Sequence, residues 1–111
     1  MAAITVQNVT KDASLTPSFV AASELGDYFA NTGKIIVYAK NVDAGDSKVI
    51  TVASQVQCSL GSTHNITVTV PASSEEIVGF FSVDRFNDAN GRVQMTYDDH
   101  TDLTLAAISI E

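Results

Sequence analysis

The chain has 111 residues, with 13 acidic side chains against 6 basic ones, a net charge of −7 and no run of Lys or Arg. A surface so charged repels phosphate backbones and anionic lipid, so neither nucleic acid nor a membrane is an expected partner. A chain of this length forms one domain over residues 1–111 and buries roughly 65% of its unfolded surface, enough to fold without disulfide or metal staples.

Val, Ile and Thr together number 32, whereas Leu and Met together number 7. β-branched side chains are stiff at χ1 and suit a pleated surface, so composition alone points to an all-β chain. The single cysteine, Cys58, has no partner for an intramolecular disulfide or a zinc set and reads as a small hydrophobe. The N-terminal "MAAITVQNVTKD" lacks the basic start of a signal peptide, and no stretch reaches the ~18 apolar residues of a membrane span.

In chain order, the first strand is expected over Ile4–Val9, ended by Thr-Lys-Asp and the Thr16-Pro17 corner, with a short extended piece at Phe19–Ala22. "ELGDYFANTG", 24–33, reads as a loop, and "SFVAASELGDYFA" is the one stretch where a short helix competes. Lys34–Lys40 is apolar on both faces and should be a central strand. "NVDAGD" turns the chain into Val49–Ala53. After the loop "SQVQCSLGSTH", Ile66, Val68 and Val70 alternate with Thr67 and Thr69 in a strand over Asn65–Val70 that Pro71 ends.

"EEIVGFFSV" follows, its apolar run reading best as a buried central strand. Asn90-Gly91 is the dipeptide of a type I′ hairpin turn, and beyond it Val93, Met95 and Tyr97 alternate with Arg92, Gln94 and Thr96. The last strand is expected over Leu103–Ile110. Seven or eight short antiparallel strands at this spacing describe a jelly-roll-like β-sandwich.

Chemistry-bearing groups are few. "DRFNDANGRVQMTY" places Asp88, Asn90 and Gly91 at the third, fifth and sixth places of an EF-hand frame, but Phe86 and Tyr97 fall at its two anchoring ends. His100 among Asp98, Asp99 and Asp102 reads as a solvated turn, not a metal set. Neither a Gly-x-Ser-x-Gly elbow nor another nucleophile setting is present. Glu75 and Glu76 point to opposite faces of a strand, so they cannot share a proton and instead keep an edge soluble. Neither catalysis, a metal nor a cofactor is expected. The Asn8 and Asn65 glycosylation patterns are treated as chance in the absence of a secretory signal.

"ITVQNVTKDASLTPSFVAA", "GDYFANTGKIIVYAKN", "HNITVTVPASSEEIVGFF" and "DRFNDANGRVQMTYDD" together resemble the small capsid decoration (cement or staple) proteins of tailed bacteriophages. In length and strand layout the likeness is to the staple type of epsilon15-like phages, and it covers nearly the whole chain. The resemblance is carried by Gly26-Asp27 with Phe29, Asn31 and Gly33, and by Phe86-Asn87-Asp88 with Asn90-Gly91.

It implies a structural virion protein, made in the bacterial cytoplasm, that binds the outer capsid surface and staples neighbouring major capsid subunits against DNA pressure. The major capsid protein is then the expected partner, with a dimer or trimer of the chain as a further possibility. Expected contact residues are Pro17, Tyr28, Phe29, Ile77, Phe80 and Phe81. A carbohydrate-binding jelly roll on the virion surface is the alternative; it requires exposed coplanar aromatics in a groove, whereas a flat apolar patch suits a protein partner.

Overall fold

A computed structural model describes residues 1–56 and 64–110. The chain is an all-β sandwich, with 47% of the described residues in strands and 4% in helix. Its strands are β1 (Ala2–Ala3), β2 (Val6–Val9), β3 (Val20–Ala21), β4 (Asp27–Ala30), β5 (Ile35–Asn41), β6 (Lys48–Val52), β7 (Ile66–Val70), β8 (Ser74–Val78), β9 (Arg92–Tyr97) and β10 (Leu103–Ile110). One helical turn, α1 (Val83–Phe86), sits between β8 and β9.

One sheet has the order β1-β4-β9-β6-β7; the other has β2-β10-β5-β8, with β3 also paired to β10. Ile35, Val37, Ala39, Leu103, Leu105 and Ala107 from the second sheet meet Phe29, Ile50, Val52, Val70, Val93 and Met95 from the first to form the core. The alternation expected of β5, β7 and β9 is present, and β10 spans the anticipated Leu103–Ile110.

Four expectations need correction. Ile4–Val9 is not one strand: β1 pairs in parallel with β4 in the first sheet and β2 in parallel with β10 in the second. Ile4, buried at the crossover, donates its N–H to the Tyr28 carbonyl at 2.8 Å, so the N-terminal segment clasps both sheets and the pairing is mixed, not wholly antiparallel. Residues 24–33 are not all loop, because β4 lies within them between two turns; neither helix nor loop describes it.

The third correction concerns Asn90-Gly91, which joins α1 to β9 rather than two strands. Only Gly91 takes a positive φ there (73°), and Asp88 Oδ1 accepts the N–H groups of Asn90 and Arg92 at 2.8 and 3.1 Å. An Asx-type turn has replaced the type I′ hairpin. Lastly, β8 is an edge strand, paired among the described residues with β5 alone: the apolar run is not the buried central strand expected of it, and the edge expected of Glu75 and Glu76 is where it lies. Cys58 and most of the loop around it lie outside the described residues.

Candidate functional site: the open edge of β8 and the segment that follows it

β8 pairs antiparallel with β5, with Val78 opposite Val37, Ile77 opposite Tyr38, Glu76 opposite Ala39, Glu75 opposite Lys40 and Ser74 opposite Asn41. Which main-chain groups of β8 are free follows from the ladder on the far side of β5. Ile110 donates to the Lys34 carbonyl at 2.9 Å and Val42 to the Asp102 carbonyl at 2.9 Å, so the even-numbered residues of β5 turn their N–H and C=O groups toward β10. The odd ones, Val37, Ala39 and Asn41, therefore bond to Val78, Glu76 and Ser74. The N–H and C=O groups of Glu75 and Ile77 consequently face outward, and β8 has no second strand partner among the described residues.

The outer face of this sheet carries Tyr38 and Lys40 beside Glu75 and Ile77. Tyr38 Oη donates to Glu75 Oε1 at 2.7 Å, and that hydrogen bond raises the phenol above its ordinary range. The Phe19 ring meets Tyr38 edge-to-face, with centroids 5.3 Å apart and planes at 88°, and the Lys40 ammonium lies 4.2 Å from the Phe19 centroid. Beside them is an open depression lined by Lys40, Asn41, Val42, Ser73, Ser74 and Glu75.

Beyond β8 the chain is pressed onto the sheet at Gly79, where a Cβ would lie 2.8 Å from Ile36 Cγ2 and 3.0 Å from the Ile35 carbonyl. Its next two residues part company. Phe80 is 59% exposed, whereas Phe81 is 1% exposed and packs between Phe29 and Phe86 at centroid distances of 5.5 and 5.9 Å. Asn31, itself buried, fixes this segment: its Nδ2 donates to the Phe81 carbonyl at 3.0 Å and to Asn87 Oδ1 at 2.7 Å, while Asn87 Nδ2 returns a bond to the Asn31 carbonyl. Asn31 and Asn87, conspicuous in the sequence as turn residues, thus act as one amide clamp. Ile77, Phe80 and Val83, three large apolar side chains within seven residues, are left exposed along it.

Of the residues expected to make contacts, Ile77 is exposed on β8 and Phe80 is exposed in the segment that follows it. Phe29 and Phe81 belong to the core and offer no surface. Tyr28 is half-buried in β4 with the Arg92 guanidinium 4.6 Å from its ring centroid, and Pro17 is half-buried in the segment before β3, on the opposite edge of the sheet from β8.

The charged turns have structural work. Lys48, whose side chain is fully buried, bonds Asp99 at 2.9 Å and Asp43 at 3.1 Å and so ties the β5–β6 and β9–β10 turns together. These bonds, that to Asp99 foremost, raise the Lys48 ammonium above its usual range although burial works against them, and Lys48 in turn holds the Asp99 carboxyl well below the carboxylate range. Asp98 accepts the Val49 N–H at 2.8 Å. Among the described residues no three His, Cys, Asp or Glu side chains converge as metal ligands, and no helix is long and apolar enough to cross a membrane. The Lys48 triad escaped sequence reading, the only local hint being Asp43 at five residues' distance.

Comparison of the chain with family models, with curated proteins and with solved structures finds no match.

Proposed function

We propose that this chain is a structural virion protein that binds the outer surface of a phage capsid and staples neighbouring major capsid subunits, stabilising the shell against the pressure of packaged DNA. The sequence resemblance suggests the class. The observation that carries it to a site is the open edge of β8 running into exposed Ile77, Phe80 and Val83. Apolar side chains beside an unpaired strand edge suit a macromolecular partner, since each contributes apolar area and the edge contributes main-chain hydrogen bonds.

The aromatic pair argues against the sugar-binding alternative. Phe19 and Tyr38 lie edge-to-face, with a lysine ammonium on the Phe19 ring, and make no flat platform for a pyranose. Stapling itself needs only modest contacts. A copy held by one subunit meets the next at high effective concentration, so two weak patches hold what neither would hold alone.

Co-sedimentation of the purified protein with expanded, undecorated capsids and with unexpanded procapsids tests the reading. Saturable binding to expanded shells at a fixed ratio to the major capsid protein supports it. Absence of binding to either particle overturns it.

A further inference from the structure

We infer that the free edge of β8 takes an extended segment of a capsid subunit as an added strand, with Lys or Arg side chains of that segment set against Glu75 and Glu76. This deepens the capsid-binding reading and rests on it.

Three observations converge. The first is the hydrogen-bonding parity of the edge: Glu75 and Ile77 present their N–H and C=O groups outward, while Ser74, Glu76 and Val78 are held by β5. The residues of β8 that an incoming strand can bond are therefore fixed as Glu75 and Ile77. The second is that the side chains beside those groups make a pattern, carboxylate at Glu75 and Glu76, then apolar at Ile77 and Phe80, all four exposed. Opposite charges across a strand pair stabilise it and like charges oppose it.

The third observation decides what kind of chain fits. In the antiparallel register that overlaps all five residues of β8 with a second β8, Glu76 falls directly opposite Glu76 of the other copy, and each copy already carries −7. A second copy of this chain thus meets like charge at the centre of the edge. A segment of another protein with basic residues followed by apolar ones meets complementary groups in the same place. Lys40, across from Glu75 on β5, is already drawn toward the Phe19 ring, which leaves the outer side of Glu75 open to a cation from the partner.

The test separates this edge from the broader capsid-binding reading. Hydrogen exchange is followed by fragment-resolved mass spectrometry on the free protein and on the protein bound to expanded capsids. In the free protein the Glu75 and Ile77 amides should exchange freely while those of Glu76 and Val78 are protected. On the shell, Glu75 and Ile77 should become protected too.

Ile77→Pro and Ile77→Ala are compared in parallel. Proline removes only an outward-facing donor, which an edge strand tolerates, so both variants should fold, and the proline should bind about tenfold more weakly than the alanine. If the protein saturates the shell while Glu75 and Ile77 exchange as in isolation, or if the two variants bind alike, strand addition is overturned and capsid binding stands. If the wild-type protein fails to bind expanded capsids, both fall together.

Discussion

Phe80 and Phe81 are adjacent in the chain and opposite in role, so truncating each to alanine should separate binding from folding. Phe81 is 1% exposed and touches Phe29 and Phe86. Removing its ring deletes a fully buried side chain and leaves a cavity, which costs about 3–5 kcal/mol. Against a total stability on the order of 5–15 kcal/mol, that loss should be plain in urea denaturation. At this chain length each kcal/mol moves Tm by about 4 °C, so Phe81→Ala should melt on the order of 12–20 °C lower.

Phe80 is 59% exposed, and Phe80→Ala should leave stability within about 0.5 kcal/mol of wild type. Its effect should appear on the capsid. Full burial of a Phe side chain is worth about 1.5–3 kcal/mol, and the share still exposed here corresponds to about 1–2 kcal/mol, or roughly 5- to 30-fold in Kd. Denaturation midpoints and co-sedimentation isotherms on the two variants measure both quantities. Equal destabilisation by Phe80→Ala and Phe81→Ala, or binding of Phe80→Ala to expanded shells as tight as that of wild type, would rule out this division of roles.

Three other perturbations have defined outcomes. Because Lys48 depresses the Asp99 carboxyl, the folded state binds that proton less readily than the unfolded chain; the stabilisation is complete above the unfolded value of about 4 and is lost as pH falls further. Urea midpoints should therefore stay level from about pH 7 to 5 and drop below about 4, with a shallower drop in Asp99→Asn; equal slopes would contradict the assignment. Gly79→Ala forces a methyl against Ile36 and the Ile35 carbonyl and should cost about 1–3 kcal/mol in thermal denaturation. The double change Glu75→Lys with Glu76→Lys should leave the far-UV circular dichroism unchanged and abolish capsid binding, and the wild-type interaction should weaken with added salt, as screened charge pairs do.

How far the sequence could be read depended on the range of the forces involved. β5, β7 and β9 were legible because their alternation is local and each has one face toward the core, and β10, buried on both faces in its middle, because its run is apolar. β4 was hidden because four residues between Gly26 and Gly33 carry more turn chemistry than strand pattern, and only its pairing with β1 and β9 makes it a strand. The position of β8 was legible only in its charges: Glu75 and Glu76 marked an edge, whereas the apolar run after them is the same whether its neighbours lie on one side or two, and here Ile77 and Phe80 face outward. The Asn90-Gly91 signal did mark a turn, but Asp88, by capping two N–H groups, chose its type. Lys48 and Asp99 are 51 residues apart, so no local pattern could announce a buried lysine between two carboxylates.

The claim that this protein staples a shell is tested most directly by heating DNA-filled particles, bare and saturated with the protein, and recording the temperature at which the genome becomes accessible to an intercalating dye. Saturated particles should release DNA at a higher temperature than bare ones, with the gain reduced for Phe80→Ala at equal concentration. Release at the same temperature from bare and fully decorated particles would show a protein that binds the capsid without holding it together, and would contradict the account.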